Sequence, residues 1–216
     1  LYMFGMIFAG LLFPLFSKQL KESIPAVLEL VKTSANLLLS GVIIIIFVTC
    51  FNSSYILGLI YTDYLEAIEP FQFLMLGFFP ICMNFIFGTL LTANGNLKAL
   101  NIISLGGIIA NICINLVLIP THGALGAAIA TFFTQLVTAI LQYIYCVLKF
   151  KIPIKILGAL KFCVLVSGLF MVSHYFQSSS YLILLQLSVG FVLTFSMALI
   201  DLNSMKKLYF SSGRIK

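Results

Sequence analysis

Neutral polar side chains recur at helical spacing within the most apolar parts of this chain. Thr131, Gln135, Thr138 and Gln142 lie three or four residues apart, so a helix would place all four on one face. Amide and hydroxyl groups donate and accept hydrogen bonds without carrying charge, which suits them to contact a hydroxyl-rich substrate. Similar stripes occur in other apolar runs. The residues that we expect to line one shared polar cavity are Asn84, Asn111, Asn115, Thr131, Gln135, Thr138, Gln142 and Gln186.

An alternative interpretation is that each of these side chains only joins two neighbouring helices, which contributes about 0.6 kcal/mol per hydrogen bond. The stripes taken together favour a water-accessible cavity, because amides facing lipid are unfavourable and a fully packed interior needs fewer of them. The last apolar run carries the weakest stripe, formed by Gln186, Gly190, Thr194 and Asp201.

The residue types that support catalysis or metal binding are scattered along the chain. His122 and His174 each stand alone, and the sequence contains no nucleotide-binding, hydrolase or zinc-protease fingerprint. The acidic residues Asp63, Glu66 and Glu69 have the spacing of a solvated amphipathic segment. We therefore expect no enzyme, no catalytic residue, no metal site and no cofactor. The cysteines fall in or beside five different runs without C-x-x-C spacing and read as small core residues: Cys50, Cys82, Cys113, Cys146 and Cys163.

The elements that must position the polar stripes are apolar helices. Charged residues make up 8% of the chain and hydrophobic ones 62%, a composition far from the roughly 25% charged residues of soluble domains. We predict an all-α, polytopic membrane helix bundle that forms a single membrane domain over residues 1–216. Its seven predicted transmembrane helices cover residues 1–17, 33–51, 70–92, 100–119, 124–148, 158–176 and 181–200.

A helical hairpin is the clearest local prediction. Residues 99–120 have about the length that a helix needs to cross a hydrocarbon core of roughly 30 Å. Only Thr121 and His122 separate Pro120 from Gly123, which predicts a tight turn followed by an antiparallel helix. Gly106 and Gly107 lie one turn before Asn111, where small residues let a second helix approach closely.

The basic residues predict the orientation. All twelve fall in alternate connections or in the C-terminal tail, whereas the connection at residues 52–69 carries acidic residues and no Lys or Arg. The positive-inside rule then places the basic connections and the C-terminus in the cytoplasm, so we expect a multi-pass protein of the cytoplasmic membrane. The basic residues are Lys18, Lys21, Lys32, Lys98, Lys149, Lys151, Lys155, Lys161, Lys206, Lys207, Arg214 and Lys216.

The net charge of +6 does not predict a nucleic-acid partner, because the basic residues are divided among short connections instead of forming one patch. Basic residues next to a membrane favour anionic lipids, which makes membrane lipid the expected partner of these connections. Lys161 lies about four residues inside its apolar run. We favour the interpretation that its long side chain reaches the interface by snorkelling, and the alternative is a role in binding phosphate.

The order of several motifs resembles a known transporter family. The matching pieces are residues 13–17 (FPLFS), residues 56–67 (ILGLIYTDYLEA), residues 91–96 (LTANGN) with Lys98, and residues 115–131 (NLVLIPTHGALGAAIAT). Together they resemble the C-terminal half of polysaccharide-biosynthesis flippases, the O-antigen and lipid-linked oligosaccharide branch of the multidrug/oligosaccharidyl-lipid/polysaccharide exporter superfamily. The most family-like part is residues 56–148.

The resemblance implies one lobe of a two-lobed transporter that flips a lipid-linked oligosaccharide or polysaccharide precursor by alternating access. Its expected partners are an undecaprenyl-linked glycan and an N-terminal lobe of the same chain. Because the chain opens with Leu1 directly in an apolar run, we expect it to be the C-terminal part of a longer protein. No mid-span Arg matches the family's basic cavity residues, so the resemblance assigns no substrate-binding residue.

Two other functions stay open at this stage. A cation-coupled multidrug and toxin extrusion exporter shares the expected architecture, and it would need a carboxylate within the membrane. Glu29, Asp63, Glu66, Glu69 and Asp201 all fall in connections or at predicted helix ends. A membrane enzyme or a non-transporting scaffold is the third hypothesis, and an enzyme of this kind should depend on the acidic residues of the 52–69 connection.

Overall fold

The computed structural model describes residues 2–153, 156–176, 181–197 and 199, and within these ranges the chain is all-helical. The helices are α1 (Tyr2–Glu22), α2 (Ile24–Phe51), α3 (Ser53–Gly58), α4 (Ile68–Leu76), α5 (Phe78–Ala93), α6 (Leu97–Phe150), α7 (Ile156–Tyr175) and α8 (Leu182–Ser196), with a short 3-10 helix at Leu65–Ala67 before α4. Asp201 and the basic residues of the C-terminal tail lie outside the described residues.

The helices agree with the seven predicted runs. The run predicted at residues 70–92 corresponds to α4 and α5, which continue into one another through Gly77. The runs predicted at residues 100–119 and 124–148 correspond to the two halves of α6. Within the part of the chain that the structure describes, three helical stretches are long and apolar enough to cross a membrane, namely Ile24–Phe51, Leu65–Ala93 and Leu97–Phe150.

Helix α6 is a hairpin, as the sequence predicts. Gly123 has φ 55° and ψ −129°, a conformation that interrupts the helix and that glycine adopts at little cost. Two arms result, α6a (residues 97–122) and α6b (residues 124–150). They run antiparallel, because Leu118 of α6a lies against Gly126 of α6b next to the turn, while Asn111, farther from the turn on α6a, donates to Thr134, farther from it on α6b, at 3.0 Å.

The arms touch closely beside the turn. A Cβ atom added to Gly126 would lie 2.6 Å from the carbonyl carbon of Leu118, so only glycine fits there. Further along, a Cβ atom on Gly107 would collide with the side chain of Thr138. Gly106 has no such neighbour. The predicted role of the glycine pair in close packing is therefore confirmed for Gly107 alone.

Two apolar cores lie on either side of α2. The larger one joins α1, α2, α5 and α6b, and its fully buried side chains include Phe16, Ile86 and Leu90. The smaller one joins α2 to α7 and α8 around Leu165 and Leu169. Burial of this apolar surface fixes α5 and α6b against each other, which positions the polar residues on their facing sides.

The two arms of α6 differ in burial. All the buried residues of α6 lie in α6b, from Gly126 to Phe150. Arm α6a instead presents large apolar side chains outward, among them Ile112, Leu116 and Val117, which are 54%, 72% and 68% exposed. One arm is thus part of the core, and the other lies at the periphery with a polar edge turned toward its partner.

Candidate functional site

Asn84 of α5 is the centre of a polar cluster. Its Nδ2 donates to Gln135 Oε1 at 2.8 Å, to the Gln135 backbone carbonyl at 3.3 Å and to Thr138 Oγ1 at 3.2 Å. The backbone carbonyl can only accept a hydrogen bond, so this contact fixes which end of the Asn84 amide faces α6b. The other end, Oδ1, therefore points away from these partners as an acceptor.

Arm α6a supplies the opposite edge of the cluster. Asn115 donates through Nδ2 to Asn111 Oδ1 at 2.9 Å, and Asn111 donates in turn to Thr134 Oγ1. The hydroxyl of Thr134 donates to the Ala130 carbonyl at 2.8 Å. This chain of hydrogen bonds ties α6a to α6b. We name the whole set the open cluster, and it consists of Asn84, Asn111, Asn115, Thr131, Thr134, Gln135, Thr138 and Gln142.

A cavity of about 420 Å³ lies along the open cluster, between α5 and the two arms of α6. A second cavity of about 330 Å³ adjoins it, because Asn84 and Ser104 line both. The polar groups around the first cavity are neutral amides and hydroxyls. A volume in this range is typical of small-ligand sites, which occupy roughly 300–1,000 Å³.

Three amide oxygens of the open cluster have no hydrogen-bond partner among the described residues, namely Asn84 Oδ1, Asn115 Oδ1 and Gln142 Oε1. Gln142 is only 5% exposed, and its Oε1 lies 3.2 Å from where a Cβ atom on Gly88 would be. An unpaired buried acceptor costs about 1–3 kcal/mol. Of the three residues, Asn84 and Gln142 line the cavity, and their unpaired oxygens are shielded from it in this conformation, so a donor reaches them only when neighbouring side chains shift.

Gln186 lies in a different environment, which we name the closed cluster of Asn52, Ser173 and Gln186. Gln186 Oε1 accepts from Asn52 Nδ2 at 2.9 Å, and Gln186 Nε2 donates to Ser173 Oγ at 2.8 Å. Ser173 donates to the Leu169 carbonyl at 2.7 Å, and Asn52 also donates to the Val48 carbonyl at 2.8 Å. Gln186 is completely buried, and both ends of its amide are bonded.

The structure thus brings together most, but not all, of the predicted cavity residues. Six of them line the 420 Å³ cavity, and Asn115 adjoins it through its bond to Asn111. Gln186 instead joins α2, α7 and α8 in the closed cluster, because the polar face of α8 packs against those helices. The predicted residues that line the cavity are Asn84, Asn111, Thr131, Gln135, Thr138 and Gln142.

Three members of the two clusters are absent from the sequence predictions, namely Thr134, Asn52 and Ser173. Thr134 lines the cavity and accepts the hydrogen bond from Asn111, and its place three residues after Thr131 was a usable signal. Asn52 pairs with Gln186, but it follows an apolar run at a helix end, where a capping role was the simpler interpretation. Its partner lies 134 residues away in sequence, so no local pattern connects the two.

The groups with possible acid, base or metal chemistry are dispersed. Among the residues that the structure describes, no three or more His, Cys, Asp or Glu side chains come together as a metal site would require. His122 lies at the exposed hairpin turn, with its Nδ1 at 2.7 Å from Thr121 Oγ1. Asp63, Glu66 and Glu69 are all exposed to solvent.

Comparison of the whole chain with known proteins gave no matching family model, no matching characterised protein and no matching solved structure.

Proposed function

We propose that this chain is a polytopic membrane domain that spans the cytoplasmic membrane with seven helices. Three of its helical stretches have the length and apolar character to cross a membrane, and the reversal at Gly123 divides the longest into two arms of about 39 Å each. The basic connections support the orientation. Lys32, in the third turn of α2, and Lys161, in the second turn of α7, line one cavity, so the N-terminal parts of these two helices lie at the same end of the bundle.

Within that membrane, the proposed activity is the flipping of a lipid-linked oligosaccharide or polysaccharide precursor. The observation that carries this proposal is the cavity of the open cluster, which is lined by neutral amides and hydroxyls. Sugar hydroxyls both donate and accept hydrogen bonds, and amide and hydroxyl side chains can do the same in return. The neutral lining also favours a glycan that must be released again, since each neutral hydrogen bond contributes only about 0.5–1.5 kcal/mol.

The periphery of the domain fits the lipid part of such a substrate. Arm α6a has an apolar outer face next to the polar cavity, so a polyprenyl chain can stay in the bilayer while its glycan contacts the open cluster. We further propose that an N-terminal lobe of the same protein covers the cavity from the other side. Rocking of the two lobes would then expose the cavity to each membrane face in turn.

The experiment is a flipping assay with the full-length protein in sealed vesicles, using a labelled undecaprenyl-linked oligosaccharide as substrate. Gln142→Leu replaces an unpaired acceptor of the open cluster with an apolar side chain of similar size. We expect the flipping rate to fall by about two- to tenfold, because the cavity loses one neutral hydrogen-bonding group that contributes about 0.5–1.5 kcal/mol. Ile144→Leu, on the exposed face of the same helix, is the matched control and should keep the wild-type rate.

The proposal fails if the inserted wild-type protein leaves the labelled lipid on the side where it was loaded. It also fails if Gln142→Leu and Ile144→Leu flip the substrate equally well. Export of an amphiphilic cation by the same vesicles, without movement of the lipid-linked sugar, would instead support a multidrug exporter.

A further inference from the structure

A separate cavity of about 490 Å³ lies at the end of the bundle that carries the basic connections. Residues from α2, α5, α6b and α7 line it. We name it the basic-end cavity. It shares no lining residue with the cavity of the open cluster, so the flipping proposal assigns it no role.

The charged groups of the basic-end cavity come from helices that are distant in sequence. Lys32 and Glu29 lie on α2, one helical turn apart, and Lys161 lies on α7. Among the described residues of the lining, the formal charges sum to +1. Two ammonium groups at one cavity repel each other, and the one carboxylate among these described residues balances only one of them. The cavity is therefore suited to one additional negative charge.

By its chemistry, the remaining lining consists of a polar part and an apolar part. Asn36 adds an amide beside the charged groups, whereas Val31, Phe87 and Tyr143 supply apolar and aromatic surface. Val31 and Phe87 are buried in the core behind the cavity. A ligand that satisfies both parts must carry a compact anion next to a hydrocarbon or glycerol portion.

We propose that the basic-end cavity binds an anionic glycerophospholipid with one phosphodiester charge, such as phosphatidylglycerol. The phosphodiester contacts Lys32 and Lys161, and the glycerol and the first acyl carbons contact the apolar part. Basic pockets between transmembrane helices on the cytoplasmic side recognise lipid headgroups by this chemistry. The site rests on the proposed membrane placement of the chain and is independent of the flipped substrate.

A lipid bound in the basic-end cavity should also stabilise the contact between α2 and α7. Helices α2 and α7 meet through the smaller apolar core, and the basic-end cavity, with Lys32 on α2 and Lys161 on α7, lies between the same two helices. A phosphodiester that contacts both ammonium groups offsets their mutual repulsion and bridges the two helices. The bound lipid therefore fastens α7 to α2 at the basic end, and anionic lipid should raise the thermal stability of the domain.

The test measures lipid retention by the full-length protein extracted from vesicles of phosphatidylcholine with one quarter phosphatidylglycerol. Native mass spectrometry counts the lipids that remain bound. We expect the wild-type protein to retain phosphatidylglycerol in preference to phosphatidylcholine. The double variant Lys32→Gln/Lys161→Gln should lose this preference by about tenfold or more, since each lysine near a membrane surface contributes roughly 1 kcal/mol toward an anionic lipid.

The matched control is Lys98→Gln/Lys149→Gln, which removes the same charge from two exposed lysines outside the cavity lining. It should change the preference less than twofold. Equal losses in the two double variants would overturn the proposal, because general surface attraction would then explain the binding. Absence of a preference in the wild-type protein would overturn it as well. If the double variant does not fold, Lys161→Gln and Lys161→Arg replace it, and only the arginine variant should keep the preference.

A competition experiment separates a lipid from a free phosphate. Inorganic phosphate and glycerol phosphate are added at millimolar concentration to the lipid-bound protein. We expect the bound phosphatidylglycerol to stay, because the free anions lack the portion that contacts the apolar part. Displacement of the lipid by inorganic phosphate would overturn the assignment to a lipid. The readout contains no lipid-linked saccharide, so a protein that binds phosphatidylglycerol but flips nothing contradicts the flipping proposal alone.

Discussion

The open and closed clusters contain the same kind of side chain, but its hydrogen-bonding groups are all paired in the closed cluster and partly unpaired in the open one. Gln142 and Gln186 are both buried, at 5% and 0% exposure. Both ends of the Gln186 amide are bonded to neighbouring side chains, whereas Gln142 Oε1 has no partner within the described part of the chain. The polar stripe on a helix thus has two uses here, one that joins helices and one that leaves acceptors available.

The difference follows from the helices that surround each cluster. Helices α2, α7 and α8 enclose Gln186 and supply one donor and one acceptor to it. The open cluster lies between α5, α6b and the peripheral arm α6a, so one side of it is bordered by a cavity and not by protein. Stability should therefore depend on the closed cluster, and transport should depend on the open one.

The largest expected effect comes from a substitution that disrupts the contact between α6a and α6b, the two arms that hold most of the open cluster, and leaves the closed cluster intact. Gly126→Ala places a Cβ atom against the backbone of Leu118, which cannot move without separating α6a from α6b. We expect the free energy of unfolding to fall by about 3 kcal/mol, at the upper end of overpacking effects. Reversible denaturation in detergent measures it.

Gly106→Ala is the control for that substitution. Gly106 lies on the exposed side of α6a, and no atom is within 4 Å of the position that a Cβ atom would take there. Alanine should therefore leave stability unchanged or raise it by up to about 1 kcal/mol. A Gly126→Ala protein as stable as the Gly106→Ala protein would show that the arms do not pack as described.

The second effect breaks the closed cluster. Gln186→Leu leaves a donor of Asn52 and an acceptor of Ser173 without their partner in a buried site. We expect a loss of about 1–3 kcal/mol in the free energy of unfolding, with the flipping rate of the folded protein unchanged. If the flipping rate fell tenfold while stability stayed at the wild-type value, the roles assigned to the two clusters would be reversed.

The third effect comes from the same substitution, glutamine to leucine, in the open cluster. Gln142→Leu removes an acceptor that is unpaired, so no hydrogen bond is lost with Gln142 Oε1. We expect the free energy of unfolding to stay within about 0.5 kcal/mol of wild type or to increase, in contrast to Gln186→Leu. The two leucine variants should be unfolded side by side. Equal destabilisation of both variants would contradict the conclusion that the closed cluster contributes to stability and the open one does not.

The smallest effect concerns the exposed acidic segment, which belongs to neither cluster. Asp63→Asn, Glu66→Gln and Glu69→Gln together remove three solvent-exposed carboxylates. We expect less than a twofold change in flipping and less than about 1 kcal/mol in stability, the scale of a lost interaction with a helix N-terminus. Loss of activity in this triple variant would support the membrane-enzyme hypothesis.

The sequence predicted the hairpin and most of the open cluster because both depend on local spacing. Pro120 and Gly123 mark the turn, and a three-to-four residue spacing is enough to place Thr131, Gln135 and Thr138 on one face. Close pairing of the two arms then brings Asn111 opposite Thr134. These steps involve residues of one helical hairpin, whereas the contact of Asn84 with Gln135 spans 51 residues and depends on the packing of α5 against α6b.

The closed cluster could not be predicted in the same way. Spacing shows which residues share the polar face of α8, but the helix that this face contacts depends on packing between distant segments. The spacing therefore predicts Gln186 as a cavity residue, whereas in the structure it is bonded to Asn52 and Ser173. The basic-end cavity could not be predicted for the same reason, since Lys32 and Lys161 come together through the packing of α2 with α7.

The antiparallel pairing about Gly123 also has a consequence for the order of folding. Leu118 meets Gly126, then Asn111 meets Thr134, and then Gly107 meets Thr138, so each successive contact lies farther from the turn. Contacts of short sequence separation form first because little chain entropy is lost in closing them. We expect the hairpin to close from Gly123 outward during synthesis and to enter the bilayer as a pair, before α7 and α8 have left the ribosome.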